Sequence, residues 1–116
     1  PYHLKNLGDC TIEDFCEMIN ELVNLIGEDN IGIGSDLCLN WPDNVVMWMR
    51  NGKWTKDIDY GESKDKNPKW PNLPSWYKQP SDLNNLFYLM CENNIPEKVS
   101  TKIIGQNWFN FMKNQF

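Results

Sequence analysis

The stretch NIGIGSDL, residues 30–37, decides the fold because it alternates two kinds of side chain. Its two isoleucines alternate with two glycines and then with the carboxylate of Asp36. Successive side chains of a strand point to opposite faces of a sheet. The pattern therefore predicts a strand over residues 30–36 with one apolar face, and one bare face that ends in a charge.

A helix is predicted immediately before this strand, over residues 11–27. Thr11 can cap the amide of Asp14, and acids fill the first turn, as the helix dipole favours. Apolar residues recur at steps of three and four at Ile12, Phe15, Ile19, Leu22 and Ile26. Gly27 is predicted to end the helix in the left-handed conformation that glycine adopts easily. A helix, a tight link and a strand make an α/β unit.

The bare face of the predicted strand favours a position inside a barrel. Glycine in a strand often marks a place where something approaches the backbone closely. An acid at the C-terminal end of a strand is where α/β barrels collect catalytic groups. Gly32 and Gly34 are thus predicted to clear space in a barrel interior, with Asp36 at its mouth. A buried structural Asp that caps a loop is an equally good interpretation of the same residue.

Residues 37–80 change character and contain every tryptophan except Trp108. A short helix is predicted over residues 42–51, with Pro42 at its first position. The remainder is predicted to be a long irregular insertion, and compact domains seldom carry one without a reason. Its tryptophans either pin it to a neighbouring surface or help it to cover a substrate.

Residues 81–116 are predicted to form C-terminal helices. Ser81 is a plausible N-cap for the first, Pro96 begins the second, Gly105 stops it, and Asn107 caps the last. Their apolar positions are predicted to be core, namely Leu83, Leu86, Phe87, Met90, Val99, Ile103, Ile104, Trp108, Phe109, Phe111 and Met112.

Length, composition and charge limit the number of domains and the classes of function that the chain can have. The chain has 116 residues, enough for one domain, and a net charge of −5. It lacks the dense basic stripe of a nucleic-acid-binding face and any apolar run long enough to predict a membrane span. It begins at Pro1 with neither an initiator Met nor a signal peptide's apolar core, as expected of a piece cut from a longer chain and equally of a processed terminus.

The four cysteines form no CxxC pair, and His3 is the single histidine. These residues cannot supply the usual ligand sets for structural zinc. We therefore expect free thiols in a reducing compartment such as the cytoplasm. His3 is interpreted as an ordinary surface residue.

The order of motifs resembles a known family across nearly the whole chain. TIEDF and LVNLIGEDNIGIGSDL come first, then IDYGE, and then NLFYLMCENNIPEKVSTKIIGQNWFNF. This order resembles the C-terminal third of the membrane (renal) dipeptidases, the M19 metallopeptidases, and most closely a bacterial branch with a tryptophan-containing insertion after the last barrel strand.

The resemblance implies a (β/α)₈ barrel that holds two zinc ions and hydrolyses dipeptides. In such a site a metal-bridging water attacks the peptide carbonyl, and the metals polarise that carbonyl. Asp36 matches the family's acid at the end of the last strand. The resemblance therefore implies that Asp36 is catalytic and handles a proton of the nucleophile.

The departures from the family are equally informative. Many members have D-F-D-G after the strand, where this chain continues from Asp36 with Leu37, Cys38 and Leu39. The family's zinc ligands, a His-x-Asp pair, a bridging Glu and two further His, lie on earlier strands and are absent here. We therefore expect this chain alone to bind no catalytic zinc and to cleave no dipeptide.

Two functions follow as hypotheses. The chain is the end of a zinc-dependent dipeptidase-like hydrolase, inactive alone, or it is a non-catalytic binding or self-associating module that uses its tryptophan-rich segment. In either case the isolated chain is expected to be mainly α-helical with one short strand and a long irregular segment. Its apolar stripes must be covered, so a homo-oligomer is expected.

Overall fold

The computed structural model describes residues 4–46 and 69–115, and these residues are mainly helical, as predicted for the isolated chain. They fall into two compact units. The first contains residues 4–37 and 72–115, and the second contains residues 38–46 and 69–71.

Four helices build the first unit. They are α1 (Ile12–Ile26), α2 (Asp82–Glu92), α3 (Glu97–Thr101) and α4 (Asn107–Gln115). Single 3₁₀ turns lie at Leu7–Asp9 and Glu28–Asn30, and a π-helical turn at Lys102–Gln106 joins α3 to α4.

Helix α1 begins and ends at the predicted residues, but Gly27 does not have the predicted left-handed conformation. The Asp14 amide donates to the Thr11 hydroxyl (3.1 Å) and the Thr11 amide donates to the Asp14 carboxylate (3.4 Å), which is a complete capping box. Gly27 ends the helix with φ of 83° and ψ of 151°, outside the left-handed helical region. That backbone conformation is available almost only to glycine.

The last helices form one continuous stretch, which corrects two predictions. Gly105 does not stop α3 but lies inside the π-helical turn, and the chain continues directly into α4. Asn107 has helical dihedral angles and is not a cap. Its side chain bonds instead to carbonyl oxygens outside the helix. A wider π turn keeps the backbone hydrogen-bonded, so a single glycine does not end the helix.

The predicted side-chain N-cap of helix α2 is not observed. Ser81 makes no side-chain capping bond. The Asp82 carboxylate accepts hydrogen bonds from the amides of Lys78 (2.8 Å) and Gln79 (3.1 Å). These bonds lower the pKa of Asp82, the Lys78 amide contributing most. Asp82, the first residue of α2, thus holds the turn that precedes the helix and does not cap the amides of the helix's own first turn.

The core lies between α1, the extended segment after it, and helices α2 and α3. Its buried members are Cys10, Phe15, Cys16, Ile19, Ile31, Leu86, Met90, Ile95, Val99 and Ile103. The predicted inner positions of α1 to α3 are therefore mostly confirmed, although Ile26 is exposed. Burial of each aliphatic side chain stabilises the fold by about 1.5–3 kcal/mol.

The predicted core stripe of α4 is wrong. Trp108, Phe109, Phe111 and Met112 are all about half exposed, and no residue of α4 is buried. The periodicity of α4 identified an apolar face correctly, but the described residues contain no element that covers it.

The predicted strand over residues 30–36 is also corrected. Asn30 belongs to the 3₁₀ turn, and residues 31–39 form no strand. Ile31 is nevertheless extended, with φ of −114° and ψ of 133°. A strand is defined by its pairing, and the described part of the chain offers this segment no second strand. Neither a sheet nor a barrel is thus formed by the described residues.

The second unit contains part of the predicted insertion 37–80. Residues 43–46 are helical, in agreement with the start of the helix predicted over residues 42–51, and the rest of that prediction lies outside the described residues. The Trp70 indole donates to the carbonyl oxygen of Pro42 (3.3 Å). Within the described ranges, no helix has the length and apolar character needed to cross a membrane.

Candidate functional site

The segment 31–37 has two distinct faces although it is not in a sheet. Ile31 is buried, and Ile33, Ser35 and Leu37 are half-buried. The intervening residues, Gly32, Gly34 and Asp36, are exposed. The alternation that the sequence predicts is therefore present, with the isoleucines against the helices and the bare face towards solvent.

Side chains at the start of α4 hold this segment in place. The Asn107 side-chain amide donates to the carbonyl oxygens of Glu28 (2.8 Å) and Ile31 (2.7 Å). The Trp108 indole donates to the carbonyl oxygen of Ile33 (3.0 Å). These bonds satisfy backbone groups that a neighbouring strand would satisfy in a sheet.

The bare face is approached closely at one of its two glycines. A Cβ added at Gly32 would lie 2.6 Å from the Trp108 indole nitrogen. A Cβ at Gly34 would meet nothing within 4 Å. Gly32 is thus required by the indole of Trp108 in this structure, and Gly34 borders open space.

Asp36, the predicted catalytic residue, ends the bare face in an unusual conformation. Its φ of 48° lies in the left-handed region, where Asp is one of the few tolerated side chains. The Leu37 amide donates to the Ser35 hydroxyl (3.4 Å), and this bond spans Asp36. Asp36 is exposed in this structure.

A cavity of about 160 Å³ lies beside Asp36. Phe15, Trp76, Tyr77 and Leu86 form much of its apolar wall, and Ile33 to Leu37 form another side. Asp36 is the single charged residue among the described residues that line it. The sequence placed Asp36 at a site but did not predict this aromatic wall.

The aromatic wall is fixed by specific contacts. The Trp76 indole donates to the carbonyl oxygen of Cys10 (2.9 Å), and its ring centroid lies 4.8 Å from that of Phe15. The Tyr77 amide donates to the carbonyl oxygen of Pro74 (3.1 Å) and closes a turn. The prediction that tryptophans pin the insertion to a neighbouring surface is therefore confirmed for Trp76.

An ion pair lies at the other end of the segment 31–37, next to Ile31. The Lys102 ammonium pairs with Asp29 (2.6 Å) and with Glu28, which joins the π-helical turn to the 3₁₀ turn after α1. These hydrogen bonds, the one to Asp29 first, raise the pKa of Lys102. This ion pair helps to position the start of the segment 31–37, whereas Asp36 lies near the end of the segment.

Metal-ligating side chains do not converge in the described residues. Among them there is no group of three or more His, Cys, Asp or Glu side chains that could hold a metal ion. His3 lies outside the described residues. Cys10, Cys16, Cys38 and Cys91 are all free thiols, the first two buried.

Comparison with family models, with curated proteins and with solved structures finds no match for this chain. The site therefore rests on its own geometry and on the sequence resemblance. The sequence predicts Asp36 as a site residue but does not predict the contacts of Trp76, Asn107 and Trp108. Their signal was weak, because a tryptophan in an irregular segment and an Asn before an apolar run do not indicate which distant carbonyl they bind.

Proposed function

We propose that residues 1–116 are the C-terminal part of a zinc-dependent dipeptidase-like hydrolase, in which Asp36 is an acid–base group at the reaction centre. The observation that carries the proposal is the two-faced segment 31–37. Its isoleucines lie against helices while Gly32, Gly34 and Asp36 stay exposed. A strand of a (β/α)₈ barrel needs these two faces, one towards its helices and one towards the interior.

The proposal assigns the zinc ligands to other parts of the complete polypeptide. The described residues do not supply a ligand set. The contribution of this chain is the carboxylate of Asp36, placed at the exposed end of the segment. A carboxylate at that position can accept a proton from an attacking nucleophile and return it to a leaving group.

The test uses the complete polypeptide that contains these residues and a panel of dipeptides. We expect zinc-dependent hydrolysis, and we expect Asp36→Asn to lower kcat by roughly 10²-fold or more with a smaller effect on KM. Asp9→Asn is the matched control, because Asp9 is also exposed and the change in charge is the same. A normal kcat for Asp36→Asn would show that the acid is not catalytic. The 116-residue chain alone should be inactive and should retain no tightly bound zinc.

A non-catalytic binding or self-associating module is the second candidate function. It is favoured by the exposure of aromatic side chains, since Trp41 of the insertion is 58% exposed and Phe109 and Phe111 of α4 are each 58% exposed. Large exposed apolar patches mark interaction surfaces. Absence of dipeptide hydrolysis by the complete polypeptide, together with stable self-association, would favour this candidate over the hydrolase.

A further inference from the structure

The cavity beside Asp36 combines an apolar interior with one charge at its solvent side. Phe15 and Leu86, which line it, are both buried, whereas Asp36 is exposed. A cavity of about 160 Å³ is comparable to apolar protein cavities that bind a benzene ring. The cavity is therefore large enough for one aromatic ring or a branched aliphatic group.

We propose that this cavity binds a ligand in which such an apolar group is linked to a primary ammonium, and that the Asp36 carboxylate pairs with that ammonium. Ligand sites are typically apolar with a few polar groups that fix orientation. Asp36 is the only charge on the described lining, so the complementary group on a ligand is a cation. This inference concerns the chain's own binding site and does not depend on the proposed hydrolase.

The backbone around Asp36 supports the assignment. A non-glycine residue in the left-handed region carries a conformational cost, and such residues concentrate at functional sites. Here the bond from the Leu37 amide to the Ser35 hydroxyl spans Asp36 and stabilises the turn. The turn thereby keeps Asp36 on the lining of the cavity.

The aromatic wall is preformed, which lowers the entropic cost of binding. Two contacts hold the Trp76 ring in place. Its indole donates to the carbonyl oxygen of Cys10 (2.9 Å), and the ring packs against Phe15. A bound ring would lie near Trp76 and Tyr77, so their resonances report on occupancy.

The experiment is a titration of the ¹⁵N-labelled 116-residue chain with 2-phenylethylamine, followed by the Trp76 indole signal and the amides of Ser35 to Leu37. We expect saturable shifts confined to residues that line the cavity. 2-Phenylethanol keeps the ring and lacks the charge, ethylamine keeps the charge and lacks the ring, and 3-phenylpropanoate reverses the charge. All three should bind more weakly, with 3-phenylpropanoate weakest among the aromatic probes.

The variant Asp36→Asn tests the ion pair without disturbing the turn, because Asn also tolerates the left-handed region. This variant should lower the affinity for 2-phenylethylamine by about two- to fivefold, as expected for the loss of an exposed ion pair. Its affinity for 2-phenylethanol should be unchanged. Asp9→Asn should change neither. A parallel titration with phenylalanyl-glycinamide distinguishes the source of the ammonium. Equal binding indicates a peptide N-terminus, and binding of 2-phenylethylamine alone indicates a free amine.

Three outcomes would overturn the proposal. The first is the absence of saturable shifts at the cavity residues with 2-phenylethylamine. The second is equal binding of 3-phenylpropanoate. The third is an unchanged affinity of Asp36→Asn, since the carboxylate would then have no part in recognition.

Discussion

The side-chain amide of Asn107 donates a 2.7 Å hydrogen bond to the main-chain carbonyl oxygen of Ile31, and a second bond of 2.8 Å to that of Glu28. One amide thus joins the first residue of α4 to the first residue of the 3₁₀ turn and to the first residue of the extended segment that follows it. Backbone carbonyls that lose their partner away from water are costly. This residue is therefore a main determinant of where the segment 31–37 lies.

Replacement of Asn107 by Ala should destabilise the fold by about 1–3 kcal/mol, because two half-buried carbonyl oxygens lose their donor. Asn114→Ala is the matched control, since Asn114 lies on the same helix and is exposed. It should be neutral within about 0.5 kcal/mol. Urea unfolding followed by circular dichroism measures the free energy of unfolding of both variants. Equal stability of the two variants would show that the Asn107 bonds contribute nothing net.

Gly32→Ala should destabilise the chain more than Gly34→Ala. A Cβ at residue 32 would lie 2.6 Å from the Trp108 indole nitrogen, so the indole must move and release the Ile33 carbonyl. Forced repacking of this kind costs about 1–3 kcal/mol. At residue 34 the added methyl meets open space and should be tolerated.

The readouts for the two glycine variants are the unfolding midpoint and the Trp108 indole signal in the ¹⁵N spectrum. Gly32→Ala should shift both, and Gly34→Ala neither. Trp108→Phe removes the indole donor and should abolish most of the difference between them. If Gly32→Ala is as stable as the unsubstituted chain, the indole does not pack against this glycine in solution.

The sequence predicts some of this architecture well, for identifiable physical reasons. Thr11 and Asp14 act locally, so their capping box follows from spacing alone. Gly27 ends the helix where predicted, although not in the predicted left-handed conformation. The faces of segment 31–37 follow from strict alternation. Gly105 failed as a stop signal because the π-helical turn carries the chain past it, and that choice depends on packing of residues distant in sequence.

The candidate site was predicted only in part. Asp36 was predicted as a site residue because an acid follows a bare face, and in the structure it lies on the lining of a cavity. The aromatic wall was not predicted, since Trp76 reaches Cys10 across 66 positions and no periodic pattern encodes that contact. The prediction that the apolar face of α4 is buried was also wrong. An apolar stripe identifies the face of a helix but does not identify the element that packs against it.

The cysteines should differ strongly in reactivity. Burial raises the pKa of the Cys16 thiol to about 11 and also raises the pKa of Cys10, whereas Cys38 is exposed. The thiolate is the reactive form. Iodoacetamide at pH 8 should therefore modify Cys38 first and leave Cys16 unmodified in the folded chain. Peptide mass mapping after timed quenching measures the order.

The same raised pKa predicts a loss of stability at alkaline pH. The folded state keeps the Cys16 proton up to about pH 11, whereas an unfolded chain releases it near its ordinary pKa. The unfolded state thus binds fewer protons in this window, and the free energy of unfolding falls as the pH rises through it. The variant Cys16→Ala should show a smaller decrease. An identical pH profile for both chains would exclude this origin.

The exposed face of α4 leads to the last prediction, that the 116-residue chain self-associates. Phe109 is 58% exposed and Met112 is 50% exposed, and they lie one turn apart. Phe111 and Trp108 pack edge to face on the same helix, with ring centroids 6.2 Å apart. Apolar patches of this kind favour association, and symmetric dimers are the commonest outcome. Sedimentation at micromolar concentrations should therefore show a dimer or larger species.

The double variant Phe109→Gln with Met112→Gln should shift this equilibrium towards monomer, because neither side chain is buried in the described fold and Gln is a good helix former. Leu25→Gln is the control, since Leu25 is 78% exposed and belongs to a different helix, at the end of α1. It should leave the association unchanged. If Leu25→Gln dissociates the species and the double variant does not, the contact lies at α1. If the unsubstituted chain sediments as a monomer at tens of micromolar with a cooperative melt, the apolar face of α4 is covered within one chain and the prediction fails.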